Sequence, residues 1–210
     1  MPLLAYSVSL SGGDAALTAV EGVKIEQFES AGLRCYYARV EDFAGNPQKT
    51  AEAALVFHRV NMGLFQALPV LPFRFPTLAE RVDELQSQVA EQSVRLRNAL
   101  DRLDSRVQME ITISAKEDGS VVPKTGTEYL RAIQARDRRL HAAVQAVQVA
   151  GRKFANAWKE QARERQVRVL ALLERGTQQA FSQELAVIAL PDGVECRVVG
   201  PWPPTEFIEE

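Results

Sequence analysis

Leu3–Leu10, LLAYSVSL, reads as a short β-strand, and the turn signal Ser11-Gly12-Gly13-Asp14 closes it. Outward from it, a brief helix is expected around Ala15–Val20. A second strand is expected over Val23–Phe28 and a third, rich in Tyr and Val, over Leu33–Val40. Gly45-Asn46-Pro47 breaks the pattern. A helix follows over Gln48–Ala67, with Phe57, Val60, Leu64 and Phe65 among its apolar residues. Val70–Phe75 reads as a buried strand interrupted by Pro72, which suits an edge or a strand end. The order β(α)ββαβ is that of a split βαβ, or ferredoxin-like, unit.

Beyond this unit, Thr77 and Glu80 have the T-x-x-E spacing of a capping box. Leu78, Val82, Leu85, Val89, Leu96, Leu100 and Leu103 then share one helical face, so one long amphipathic helix is expected up to Ser105-Arg106. That junction divides the chain into an N-terminal α+β domain over 1–105 and a C-terminal α+β domain over 106–210. The second domain begins with a strand over Val107–Ser114 and a polar loop over Lys116–Thr125. A very long helical stretch follows over Thr127–Arg175, in which Ile133, Leu140, Val147 and Phe154 step by seven. As one rod it would reach ~75 Å, too long for a compact domain, so a break is expected, with Gly151 the cheapest place. A short helix over Gln178–Glu184, a strand over Ala186–Leu190 and a strand over Glu195–Val199 complete the domain. The turn Pro191-Asp192-Gly193 joins the last two strands as a hairpin. Gly200-Pro201-Trp202-Pro203-Pro204 cannot be helix or central strand.

Composition narrows the function classes. Of 210 residues, 46% are hydrophobic and 25% charged, with a net charge of −2, an ordinary globular balance. A dense basic face for nucleic acid or an anionic membrane is not implied. No stretch approaches the roughly 20 apolar residues of a membrane span, and MPLLAYSVSL lacks the basic start of a signal peptide. Two cysteines, Cys35 and Cys196, do not make a disulfide framework, so a reducing, cytoplasmic setting is expected.

Catalytic chemistry is sparse. His58 and His141 are the two histidines, and neither has a Cys or His at ligand spacing, so no metal or other cofactor is expected. His58, among Leu55, Phe57 and Val60, reads as a packed histidine, and Cys35 as a small buried hydrophobe. A nucleophile with an adjacent base and a phosphate-binding glycine loop are both missing from the pattern. Glu80, Asp83 and Glu84 complement a helix N-terminus, and Arg131, Arg136, Arg138 and Arg139 form a solvated basic face. The chain is therefore read as an interaction protein with no catalytic residues.

Two blocks concentrate aromatic, proline and arginine chemistry. One is Leu68–Phe75, LPVLPFRF, and the other Gly200–Pro204, GPWPP. Proline lowers the entropy lost on docking, and Trp and Arg are enriched at binding hot spots. Phe73, Arg74, Phe75, Pro201, Trp202 and Phe207 are thus candidates for partner binding. An internal staple, locking the chain as it leaves a strand, fits the same residues.

These blocks also carry a resemblance. Gly200–Phe207, GPWPPTEF, closely resembles the G-P-W-P-P-Y-x-F ending of gas vesicle proteins F and L, and Val70–Thr77, VLPFRFPT, resembles their V-L-P-x-R-F-G-T motif. Val107–Glu110 is similar to the family strand after its long helix, and Gly126–Arg131 to its G-x-x-Y-L-[KR] helix start. Pro76 stands where the family has glycine, and Thr205 where it has tyrosine. The resemblance implies two α+β domains, the second a modified ferredoxin-like fold. The short stretch between Gly176 and Val194 leaves a truncated form of that domain open. It also implies an accessory protein of gas vesicle assembly that binds the hydrophobic shell protein and other vesicle proteins, cytoplasmic and vesicle-associated, and a monomer when isolated. The alternative is a ferredoxin-like regulatory module that senses a small ligand.

Overall fold

Seven of the eight residues of β1 (Leu3–Leu10) are buried, which marks it as a central strand covered on both faces. The computed structural model describes residues 1–12, 17–43, 45–116, 125–163 and 165–208. The chain forms two compact units, one of Met1–Ser105 together with Trp202–Glu210, the other of Arg106–Pro201.

In the first unit, β1 pairs antiparallel with β5 (Leu33–Arg39), from Leu3 opposite Arg39 to Leu10 opposite Leu33, with an irregularity between Ala5 and Ser7. β5 pairs in turn with β4 (Glu26–Ser30). A small ribbon of β2 (Ala19–Val20) and β3 (Val23–Lys24) precedes β4. Ala19–Val20 is therefore strand where a brief helix was expected; Ala15 and Ala16 lie outside the described residues. α1 (Pro47–Ala67) starts on Asn46, whose side chain accepts the Lys49 N–H at 3.1 Å, with proline favourably placed in the first turn. It buries Phe57, Val60, Leu64 and Phe65, and Phe57 stacks on Tyr6 of β1 with centroids 5.5 Å apart. Between them the buried Asn61 accepts the Ser7 hydroxyl proton and donates to the Phe57 carbonyl, so its amide is satisfied inside the core.

The other edge of β1 is shared by two short strands, β6 (Leu71–Pro72) and β7 (Leu78–Ala79). The single strand expected over Val70–Phe75 is thus only two residues of ladder. Pro72 has no N–H to continue it. Thr77 is still at the sheet, since its carbonyl accepts the Ala5 N–H at 3.0 Å, so no helix can begin there. The capping box expected at Thr77 and Glu80 does not form. The Thr77 hydroxyl donates to the Arg74 carbonyl at 2.7 Å, and Glu84 accepts the Glu80 N–H at 2.9 Å. The amphipathic helix comes as two pieces, α2 (Val82–Glu91) and α3 (Ser93–Leu103), separated at Gln92. Of the expected apolar stripe, Leu85, Val89, Leu96, Leu100 and Leu103 are buried and Val82 is half-buried, whereas Leu78 belongs to β7.

The second unit runs β8 (Arg106–Ala115), α4 (Gly126–Gly151), β9 (Ala155–Arg163), β10 (Gln166–Glu174), α5 (Gln178–Ala186) and β11 (Val194–Trp202, its last residue grouped with the first unit). Its sheet order is β11-β8-β10-β9, with β10 antiparallel to both β8 and β9. This is a whole βαββαβ ferredoxin-like unit, so the truncated form is overturned. Nor is there one long helix to Arg175. α4 ends at Gly151, and a β-hairpin occupies 155–174. The strand expected over Ala186–Leu190 and its hairpin with Glu195–Val199 are also absent from the described residues; Ala186 closes α5, and β11 pairs with β8. Val107, Met109, Ile111 and Ile113 of β8 are buried with Val169, Ala171 and Leu173 of β10, as are Leu140, Val144 and Val147 of α4 and Phe181 and Leu185 of α5.

Gly151 has a packing reason. A Cβ there would stand 2.7 Å from Phe181 and 2.9 Å from Trp158, closer than real Cβ atoms come. The helix end is thus pressed against the first strand of the hairpin, and only a residue without a side chain fits.

Candidate functional site

The two aromatic-proline blocks were read as either partner-binding segments or internal staples, and five of the six candidate side chains fall in the first unit. Phe75 is half-buried and stacks on Phe43 at 5.8 Å, with Phe57 of α1 tilted against it at 5.2 Å. The peptide bond after it, Phe75-Pro76, is cis. Phe73 is half-buried, and its N–H donates to the Tyr6 carbonyl at 2.8 Å. Arg74 between them is exposed. The block is therefore tied to the sheet by backbone hydrogen bonds and to α1 by Phe75, and Pro69 and Arg74 are its exposed residues.

The C-terminal block divides at the unit boundary. Gly200 and Pro201 end the second unit, joined by a cis bond. Gly200 has φ of 131°, and a Cβ there would meet Met109 Sδ at 2.8 Å and the Gln108 carbonyl at 3.0 Å. Trp202 is half-buried beside the exposed His58 ring of α1, with centroids 5.5 Å apart. His58 is thus not the packed core residue expected from its neighbours on the helix. Pro203 and Pro204 are buried, and Phe207, in a 3-10 turn over Thr205–Phe207, is 1% exposed. Arg102, in the last turn of α3, donates to the carbonyls of Phe207 at 2.7 Å and Ile208 at 3.0 Å. Sequence reasoning did not single out Arg102 or Phe43. Arg102 had a weak signal, a cation at a helix C-terminus, whereas nothing local marks its distant partner.

The remaining chemistry is dispersed. Cys35 is buried in β5 and Cys196 half-buried in β11; both are free, and burial pushes both thiols up. His141 on α4 is exposed and within 3.0 Å of Gln145. The Arg81 guanidinium bonds Asp83 at 2.9 Å and holds its carboxyl below the usual range, so this acidic group is already engaged. Arg136 pairs with Asp137, and Arg139 donates to the Asp192 carbonyl at 3.2 Å, which leaves Arg131 and Arg138 on the exposed side of α4. Among the described residues no three His, Cys, Asp or Glu are grouped to hold a metal, and no helix is long and apolar enough to cross a membrane.

A family model described as gas vesicle synthesis protein GvpL/GvpF matches residues 3–209. Among solved structures, the gas vesicle protein GvpF from Anabaena sp. PCC7120 is similar with a TM-score of 0.77 at 15% identity, over 100% of this chain and 96% of that one. GvpF from Microcystis aeruginosa is similar with a TM-score of 0.75 at 14% identity, over 100% and 99%. At such identities the likeness establishes the fold. No curated protein is a significant match.

Proposed function

The chain belongs to the gas vesicle synthesis protein family GvpL/GvpF, and from that premise we propose that it is a non-enzymatic assembly factor. In this reading it binds the small hydrophobic shell protein, with other vesicle proteins, in the cytoplasm before or during shell growth. The observation that carries the reading is the family match over 207 residues, from 3 to 209.

A chaperone for an apolar subunit needs accessible apolar surface. The N-terminal half of α4 supplies some. Tyr129 and Leu130 are exposed and Ile133 half-buried, and Tyr129 and Ile133 continue, at helical spacing, the stripe that is buried further on as Leu140, Val144 and Val147. An apolar stripe that outruns its own core can receive a partner segment. Co-expression with each vesicle protein, followed by pull-down, tests the proposal. Recovery of the shell protein is expected, with recovery reduced in the double variant Tyr129→Ser, Leu130→Ser. Failure to bind any gas vesicle component would sink the proposal.

A further inference from the structure

An unpaired sheet edge is a template for another strand, and folds blunt such edges with short strands, proline or charge. The first unit does so: β4 has five residues, and β6 has two, one of them Pro72. In the second unit, the edge strand β11 ends on Gly200, Pro201 and Trp202, and proline has no N–H to offer. β9, at the opposite edge, is nine residues long and contains neither proline nor glycine. Its inner side pairs with β10, and among the described residues no strand pairs with its outer side.

The two faces of this edge differ. Trp158 lies 6.2 Å from Phe181 of α5, so Trp158, Glu160 and Ala162 are on the helix side of the sheet. Glu160 is engaged there, accepting from Gln148 of α4 at 2.6 Å. Lys159, Gln161 and Arg163 alternate with them on the other side, a row with two cations and no carboxylate. Glu110 of β8, on that same side, is already matched by Arg168 at 2.8 Å, and Arg168 also donates to Gln161 at 3.0 Å.

A second copy fits this edge poorly. Two copies joined antiparallel about a two-fold axis must set residues from the same side of the sheet opposite each other. Centred on Glu160, the pairing sets glutamate against glutamate, and centred on Lys159 it sets lysine against lysine. Centred on Gln161, it sets Lys159 against Arg163 twice over. Centred on Trp158, it must run through the bulge at Asn156, which the ladder with β10 skips. Like charges directly opposite destabilise a strand pair.

We propose that the outer edge of β9 takes an extended segment of a partner protein as a fifth strand of this four-stranded sheet. The segment alternates acidic and aliphatic residues, with carboxylates four residues apart facing Lys159 and Arg163, and aliphatic side chains on the side of Trp158 and Ala162. The site stands apart from the vesicle reading, since it rests on the sheet edge alone.

The test is an NMR titration of the full 15N-labelled chain with the peptide acetyl-Ser-Val-Glu-Val-Thr-Val-Glu-Val-Ser amide. Saturable shifts are expected in the amides of residues 157–163, with slowed amide exchange along β9. The analogue with lysine for both glutamates should bind about tenfold more weakly, because two cross-strand charge pairs are reversed. The analogue with Pro-Pro for the central Thr-Val should not bind, since it breaks the strand ladder. The double variant Lys159→Glu, Arg163→Glu should reverse the preference between the glutamate and lysine peptides. Arg163→Glu alone, at an exposed position, should narrow it, and keeps the test open where the double variant misfolds. Light scattering without peptide should show a monomer. Absence of saturable shifts with the glutamate peptide, equal binding of the lysine peptide, a preference unmoved by charge reversal, or a dimer formed through β9 would overturn the proposal.

Discussion

A single glycine shows how a residue's role depends on what lies against it. Gly200 could be read in the sequence as part of a rigid Gly-Pro-Trp block, but not the reason for glycine there. The reason lies across the sheet, where Met109 Sδ would be 2.8 Å and the Gln108 carbonyl 3.0 Å from any Cβ, at a φ of 131° that L side chains rarely adopt. Gly200→Ala is therefore expected to destabilise the second unit by about 2 kcal/mol or more, from backbone strain and overpacking together. Urea unfolding followed at the far-UV circular dichroism would measure it, and an unchanged midpoint would remove the packing explanation. His58 teaches the same lesson in reverse. Its sequence neighbours suggested a core histidine, yet it is exposed and faces Trp202, a residue that only the folded chain brings near. Cys35, by contrast, was legible, because a cysteine in a strand of Tyr and Val packs as a small hydrophobe wherever that strand is central.

Among elements, those with one dominant local signal were readable. α1 has a capping Asn46, a proline in its first turn and an apolar face, and its expected and observed spans differ by one residue. β9 shows the opposite case. Its sequence, ANAWKEQAR, is built largely of good helix formers, and Phe154 falls in heptad phase with Ile133, Leu140 and Val147. Local propensity therefore extended α4 straight through the hairpin. What overrides it is β10, an apolar strand that pairs along its length with β8 on one side and β9 on the other. The start of α4 can be tested separately. Thr125 accepts the Glu128 N–H at 3.2 Å while Glu128 accepts the Thr125 N–H at 3.2 Å, a reciprocal cap on a turn whose first residues are all exposed. Thr125→Ala should fray this turn at a cost of about 1 kcal/mol. Amide exchange of residues 127–131 should quicken, while that of Leu140–Val147 stays slow. Uniform acceleration along the helix would mean that the cap supports more than its own turn.

At the scale of the whole molecule, the consequential fact is that the first unit is discontinuous in sequence. Its main body is Met1–Ser105, and the segment beginning at Trp202 clusters with it. Nothing in the tail's composition distinguished a docking peptide from a part of the fold, which is why both readings stood open for Trp202 and Phe207. The residues of the tail contribute unequally. Trp202 is half-buried against an exposed ring, whereas Phe207 is 1% exposed and the carbonyls of Phe207 and Ile208 accept from Arg102. Truncating a buried phenylalanine costs about 3–5 kcal/mol, a large part of the stability of a domain this size. Phe207→Ala is therefore expected to weaken the first unit, to which it belongs, while sparing the second, which ends at Pro201. Hydrogen exchange gives the two units separate readouts. Protection should fall in β1, β5 and α3 and hold in β8 and β10. Trp202→Ala should have the smaller effect on the same probes, because less of its surface is buried. If the order is reversed, or if β8 and β10 lose protection with the first unit, the tail acts on stability by a route other than the seat of Phe207.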